Sequence, residues 1–267
     1  MDAGKRTKLS VKALYETINA LAPFALSREY IEKFGHRDNS GIQLDCGGEI
    51  TGVLFSLDLS AAAVAEAKKW GANCIVTHHP AIFSPLFSLR EEGSGAQVLA
   101  CAQAGISVIS AHLNLDAAEG GIDESLMHGL GGGKAIAVED SLTGGGYGRV
   151  YDVEKKSLAA FAEQVRHVFG THRILTYGNG TVGRVASFCG AGFDEGALAF
   201  AMANGADTLV SSDVKHHLIA AAVEEGLNLV ILTHYAAENY GFIRFAEKIE
   251  KLLKGTPCTV FTDERFL

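Results

Sequence analysis

The chain has 267 residues, of which 48% are hydrophobic and 20% charged, with only 4 Pro. This composition is typical of a folded globular protein, and the length predicts two small domains more readily than one large domain. The net charge of -8, without an extended stripe of Lys and Arg, argues against general nucleic-acid binding and against binding to anionic membranes, because both need clustered positive charge.

The first predicted element is an amphipathic helix near the N-terminus. Val11, Leu14 and Ile18 recur at helical spacing, while Lys12 and Glu16 interrupt the apolar block that a secretory signal requires. No stretch reaches the roughly 18 uncharged apolar residues of a membrane span. The five cysteines are odd in number and never form a CxxC motif, which favours reduced thiols. We therefore expect a cytoplasmic protein.

Short β-branched runs alternate with Ala-rich helical segments after this helix, a pattern typical of parallel α/β sheets. The predicted strands are Val53–Leu57, Cys74–Thr77, Ile106–Ala111, Gly148–Val153, Val185–Cys189, Thr208–Ser211 and Leu227–Thr233. Two pairs of segments repeat one design. GANCIVTHH is matched by GADTLVSSD, and AGISVISAH is matched by EGLNLVILTH.

The repeats predict an α/β fold class with two linked α/β domains of related topology. We place the first domain at residues 1–128, carrying the THHP and SAHLNLD motifs, and the second at residues 129–267, carrying SSDVKHH and THYAAE. The Gly-rich stretch 129–146 marks the predicted boundary. The C-terminal part of the chain could still pack back on the first domain.

Histidines follow several of the predicted strands at the point where each strand ends. The carboxyl ends of strands in open α/β sheets are where ligands bind, so we expect a metal site at these ends, between the two domains. The candidate metal ligands are His78, His79, His112, Asp116, His234 and Glu238. Two of the clusters have the spacing His-xxx-Asp or His-xxx-Glu, which places residues four apart on one side of a helical backbone.

The ligand types indicate which metal could bind. Imidazole nitrogens with carboxylate oxygens suit Zn, Fe, Mn or Ni, and the lack of nearby thiolates argues against an iron–sulfur cluster. Five or six ligands exceed the three or four of a single catalytic zinc. We therefore predict two divalent metal ions per chain, of unassigned identity, which would activate a water molecule between them.

The same residues resemble a known family across nearly the whole chain. The stretches that carry the resemblance are DNSGIQL, VLFSLDLS, GANCIVTHHPAIFSPL, SAHLNLDAAEGGID, SSDVKHH and THYAAE. In these stretches the sequence resembles the NIF-three-like dinuclear-metal proteins, which are named as homologues of GTP cyclohydrolase 1 type 2. The resemblance implies that His78, His79, Asp116, His234 and Glu238 are metal ligands, with His112 a ligand or an immediate neighbour. It also implies a ring-shaped homohexamer.

Two positions depart from the family pattern. Arg37 stands where Trp is usual, and Leu113 stands where Thr is usual. Neither is a ligand position, so the departures concern substrate recognition rather than the metals.

Two further segments could belong to a site. The run Gly190–Gly196 follows a predicted strand and could hold a phosphate at a helix N-terminus, although a plain strand-to-helix turn is the favoured interpretation. Lys215 and His217 follow another strand, and His217 could orient a ligand or pass a proton. The remaining histidines, His36 among them, lack carboxylates at ligand spacing and are interpreted as surface residues.

Three functions remain open on these residues. The first is a metal-dependent hydrolase acting on a nucleotide or related substrate, with His112 and His217 as candidate catalytic residues that move protons. The second is a metal-binding scaffold or regulator without turnover, because function lies in the site rather than in the fold. The third is a partner-binding adaptor, for which the sequence offers no motif.

Overall fold

The computed structural model describes residues 8–267. The helices are α1 (Val11–Leu21), α2 (Phe24–Phe34), α3 (Ala61–Trp70), α4 (Ala96–Ala104), α5 (Leu113–Ala117), α6 (Ile122–Gly129), α7 (Leu158–Phe169), α8 (Glu195–Ala203), α9 (His216–Glu224) and α10 (His234–Leu252), with a short 3-10 helix at Glu264–Phe266. The strands are β1 (Gly41–Leu44), β2 (Val53–Ser56), β3 (Cys74–Thr77), β4 (Ser107–Ser110), β5 (Ala137–Leu142), β6 (Gly145–Ser157), β7 (Leu175–Tyr177), β8 (Thr181–Ser187), β9 (Thr208–Ser211), β10 (Asn228–Ile231) and β11 (Cys258–Phe261). All seven strands predicted from the sequence are present.

The chain folds into two compact units, each with its own sheet, and the predicted α/β fold class is confirmed. The first unit comprises the described residues up to Leu115 together with Phe245–Thr262, and the second comprises Asp116–Arg244 with Asp263–Leu267. The division that we placed after residue 128 falls in α6, inside the second unit. The Gly-rich stretch 129–146 forms β5 and the turn into β6, also within the second unit.

The sheet of the first unit has five strands in the order β1-β4-β3-β2-β11. Strands β11, β2, β3 and β4 are parallel, and β1 is antiparallel to β4 at the edge. Every residue of β2, β3 and β4 is buried, as expected for parallel strands covered by helices. Leu54, Ile75 and Val108 form the centre of this core.

The sheet of the second unit has six strands in the order β5-β6-β8-β9-β10-β7. Strands β8, β9 and β10 are parallel, β7 is antiparallel to β10, and β5 and β6 form an antiparallel pair beside β8. The series β7, β8, β9, β10 therefore repeats the series β1, β2, β3, β4 in both chain order and strand order. This correspondence confirms the related topology predicted from the repeated segments.

The repeated segments share one helix-ending motif, which explains why they look alike in sequence. Gly71 after α3 and Gly205 after α8 both have positive φ, and the amide of the next residue donates back into the helix. The N–H of Ala72 bonds to the carbonyl of Ala67 at 2.9 Å, and the N–H of Ala206 bonds to that of Ala201 at 3.0 Å. This reversal requires a glycine and a buried apolar residue after it, which is the Gly-Ala pair that opens each strand segment.

None of the helices within residues 8–267 is long and apolar enough to cross a membrane.

Candidate metal centre

Three histidines converge at the carboxyl ends of β3 and β4 in the first unit. His78 and His79 directly follow β3, and His112 follows β4 by two residues. Because β3 and β4 are parallel with Thr77 paired to Ser110, the chain leaves both strands at the same edge. Each of the three histidines offers a ring nitrogen within 4.8 Å of the other two. The sequence prediction that these residues come together is met within this unit.

Each imidazole of this cluster is anchored at Nδ1. His78 Nδ1 lies 2.8 Å from the carbonyl oxygen of Ala111, and His79 Nδ1 lies 2.7 Å from Asp58 Oδ1. His112 Nδ1 lies 2.8 Å from Asp38 Oδ1. An acceptor at Nδ1 fixes the proton there, so a metal would bind these rings at Nε2.

Asp38 is the most enclosed of these anchors. Its side chain is fully buried, and Oδ2 accepts hydrogen bonds from the hydroxyls of Ser27 at 2.5 Å and Ser40 at 2.6 Å. Burial raises the pKa of this carboxyl, but hydrogen bonds from His112, Ser27 and Ser40 outweigh it and lower the pKa to about 2. Asp38 is therefore a permanent carboxylate that holds His112 in one orientation. No sequence pattern predicted this role for Asp38.

The second unit brings together the other three predicted ligands. Asp116 lies on α5, while His234 and Glu238 lie one turn apart at the start of α10. His234 Nε2 is 3.0 Å from Glu238 Oε2, and carboxylate oxygens of Asp116 and Glu238 lie within 4.8 Å of one another. Both carboxylates are at least 95% buried. Two buried carboxylates this close repel each other unless a proton or a cation lies between them.

Gly190 closes one side of this group in the second unit. A Cβ atom at this position would overlap Glu238 Oε1 and lie 3.3 Å from His234 Cε1 and Nε2. Its φ of +59° is also a conformation that favours glycine. The turn interpretation of the Gly190–Gly196 run holds, since Asp194 caps α8 by accepting from the amide of Ala197. No pattern in the sequence indicated that Gly190 contacts the candidate ligands.

The segment after β9 carries three polar residues, of which one contacts a candidate ligand: Asp213, Lys215 and His217. Asp213 has a positive φ of 50° and its Oδ2 lies 2.7 Å from His234 Nδ1, so it anchors a candidate ligand. Lys215 is the N-cap residue of α9. His217 is exposed, and its Nε2 lies 3.4 Å from Glu195 Oε1 on α8. The catalytic role of His217 stays a prediction.

The donor set fits a divalent transition metal. Among the described residues, the candidate groups consist of imidazoles and carboxylates without a thiolate ligand, the combination that Zn, Fe, Mn and Ni accept. Anchored imidazoles and paired buried carboxylates are also what a metal site requires around its ligands. The chain therefore carries candidate ligand groups for divalent metal binding.

These features define a class: a two-unit α/β protein of duplicated topology, with candidate metal-ligand groups of histidine and carboxylate side chains. The chain belongs to the Duf34/NIF3 (NGG1p interacting factor 3) family, whose model matches residues 9–264. The family resemblance found in the sequence is thus confirmed.

Relatives support the assignment along most of the chain. A protein from Lactococcus lactis subsp. lactis, named GTP cyclohydrolase 1 type 2 homolog, is 33% identical over 82% of this chain and 85% of its own length. One of the same name from Clostridium perfringens is 29% identical over 81% of this chain and 84% of its own. The crystal structure of Staphylococcus aureus protein SA1388 superposes with a TM-score of 0.83 at 23% identity, covering 96% of this chain and 97% of that one. The last comparison shows the shared fold.

Proposed function

We propose that the chain binds two divalent metal ions and is a metal-dependent hydrolase acting on a nucleotide or related substrate, as a GTP cyclohydrolase 1 type 2-like enzyme. The ligands would be His78, His79, His112, Asp116, His234 and Glu238. The observation that carries the proposal is the convergence of three imidazoles, each anchored at Nδ1, at one sheet edge. The names of the relatives support the substrate class.

The metals would supply Lewis acidity and an activated water molecule near neutral pH. The side chains of this protein would supply orientation and proton transfer. His112 would serve either as a ligand through Nε2 or, if it stands beside the metals without binding one, as a proton carrier. In the second case Asp38 holds the ring proton on Nδ1, so the uncoordinated Nε2 could accept a proton from a reacting group. The buried carboxylate would also stabilise the protonated ring while the proton is held, because the opposite charges lie 2.8 Å apart.

Metal content and turnover test the proposal separately. Protein purified without chelator or affinity tag is analysed for metals per chain, and then assayed with GTP and a panel of nucleotides, with and without chelator. Two metals per chain with metal-dependent turnover support the hydrolase. Two metals without turnover would favour the scaffold function instead, and no bound metal would overturn the whole proposal.

Variants test the ligand set directly. His79→Ala and Glu238→Ala each remove one predicted ligand, and we expect both proteins to lose metal while remaining folded. His36→Ala removes an exposed histidine outside the ligand set and serves as the control. Unchanged metal stoichiometry in the two ligand variants would refute the assignment.

We also propose a homohexamer and a cytoplasmic location, both from the family resemblance and the cysteine pattern. All five cysteines are free thiols, consistent with a reducing compartment. Light scattering on the metal-loaded protein tests the assembly. A monomeric mass would reject the hexamer.

A further inference from the structure

A cavity of about 450 Å³ lies next to the histidine cluster of the first unit. Two loops form its walls. One runs from His36 to Asn39 before β1, and the other runs from Ile82 to Pro85 after β3. Its volume is within the usual range of small-molecule sites, roughly 300–1,000 Å³.

Two lining residues connect the cavity to His112. Asp38 accepts the hydrogen bond from His112 Nδ1, and the ring of Phe83 meets the His112 ring edge-on with 6.4 Å between their centroids. A ligand in the cavity therefore lies against the residue to which we assign proton transfer.

Hydrogen bonds hold the two walls together. Asn39 Nδ2 donates to the carbonyl of Ile82 at 2.5 Å, and Gln43 Nε2 donates to the carbonyl of Asn39 at 2.6 Å. Gln43 Oε1 also accepts from the amide of Ile82 at 3.2 Å. The side chains of Asn39 and Gln43 thus brace both loops that line the cavity.

The cavity combines a basic edge with an aromatic wall. Arg37 is exposed and makes no ion pair with any residue in the described range 8–267, and His36 lies beside it with its ring 5.0 Å from that of Tyr30. The carboxyl of Asp38, which also lines the cavity, is fully buried and already accepts hydrogen bonds from Ser27, Ser40 and His112, so it forms no ion pair with Arg37. On the other side, Phe83 leaves 54% of its surface exposed.

We propose that this cavity is the substrate subsite and that it binds a nucleotide, with the base stacked on Phe83 and a phosphate bound by Arg37. This inference rests on the proposed function and names the residues that would select its substrate class. A planar ring matches an exposed aromatic face, and Arg is the residue best suited to phosphate because its fork of donors is permanently charged. Neither residue belongs to the metal ligands.

Equilibrium binding on the metal-loaded protein tests the subsite without relying on turnover. Wild type and variants are titrated with GMP, guanosine and inorganic phosphate by calorimetry, and metal content is measured on each sample. Loss of one charge-assisted hydrogen bond or one stacking contact corresponds to about a tenfold weaker Kd. Arg37→Ala should weaken the binding of GMP by about tenfold and leave the binding of guanosine unchanged. Arg37→Lys should restore part of the lost affinity for GMP.

Phe83→Leu should weaken GMP and guanosine alike by about tenfold, because it keeps an apolar side chain and removes the ring. Arg90→Ala and Phe87→Ala are matched controls, since both residues are exposed on the adjacent segment and neither lines the cavity. Equal GMP affinity in all four Ala or Leu variants and wild type would overturn the subsite. Phosphate binding that depends on Arg37, without any contribution from the base, would overturn the nucleotide assignment. The metal-ligand variants His79→Ala and Glu238→Ala test the proposed function separately. Their metal content does not alter how the titrations of the Arg37 and Phe83 variants are interpreted.

Discussion

Replacing Asp58 with Asn tests whether the carboxylates around the histidines contribute to metal affinity. Asp58 Oδ1 lies 2.7 Å from His79 Nδ1, and 46% of the Asp58 side chain is exposed. Asn keeps the size and one acceptor oxygen but loses the charge that makes the imidazole a stronger donor to a metal. Removing a carboxylate that hydrogen-bonds a metal-binding histidine typically costs about 10–100-fold in metal affinity, and the partial exposure of Asp58 places it at the lower end. We expect about a tenfold weaker Kd for Zn²⁺.

The assay is competition of metal-free protein with a chromophoric zinc chelator at constant pH. Asp45→Asn is the control, because Asp45 is also an exposed acid of the first unit. Within residues 8–267 it accepts a hydrogen bond only from the amide of Gly47, at 2.8 Å, and it contacts no histidine. Asp38→Asn should weaken binding more, since this carboxylate is fully buried and accepts from three side chains. If Asp58→Asn and Asp45→Asn both bind Zn²⁺ as tightly as wild type, the anchoring argument is wrong.

Two other predictions concern the second unit. Gly190→Ala should cost about 1 kcal/mol through its left-handed backbone, and should also lower metal content because the new methyl displaces Glu238. Gly35→Ala has the same backbone strain with open space around it, so it should lose stability and keep its metal. Burial, with Asp140 among the neighbouring acids, raises the pKa of Glu139 from 4.5 to about 7, so ionising it destabilises the fold as pH rises from 4.5 to 7. Glu139→Gln should therefore be more stable than wild type at pH 8, by about 1 kcal/mol once the partial exposure of Glu139 is discounted. At pH 4 the two proteins should be equally stable. Equal melting temperatures at both pH values would contradict this prediction.

The strands predicted from the sequence and those without a prediction lie at different positions in the sheets. The seven predicted strands include the parallel core of each sheet. Strands buried on both faces have continuous apolar runs, which the sequence shows directly. The four strands without a prediction, β1, β5, β7 and β11, are the two edges of each sheet. Edge strands are half exposed and carry mixed side chains, as in Leu175–Tyr177, so neither periodicity nor an apolar run identifies them.

The candidate ligands could be predicted because the ends of buried strands can be recognised in the sequence. The residues that contact and orient these ligands could not be predicted in this way. The histidines stand directly after apolar runs, and parallel strands bring those ends to one edge. Asp38 comes instead from a loop before an edge strand, 74 residues from its partner His112, and only the antiparallel pairing of β1 with β4 brings it there. Gly190 is informative only through the atoms that surround it.

The duplicated topology explains why the same acid–histidine contact occurs in both units. In the first unit, Ser56 at the end of β2 pairs with Thr77 at the end of β3, and two residues later Asp58 meets His79. In the second unit, Ser211 at the end of β9 pairs with Ile231 at the end of β10, and shortly afterwards Asp213 meets His234. Parallel strands in equal register deliver their next residues side by side, so an acid after one strand can anchor a histidine after its neighbour. Each unit thus orients its imidazoles through its own sheet, and Asp213→Asn should weaken Zn²⁺ binding as Asp58→Asn does.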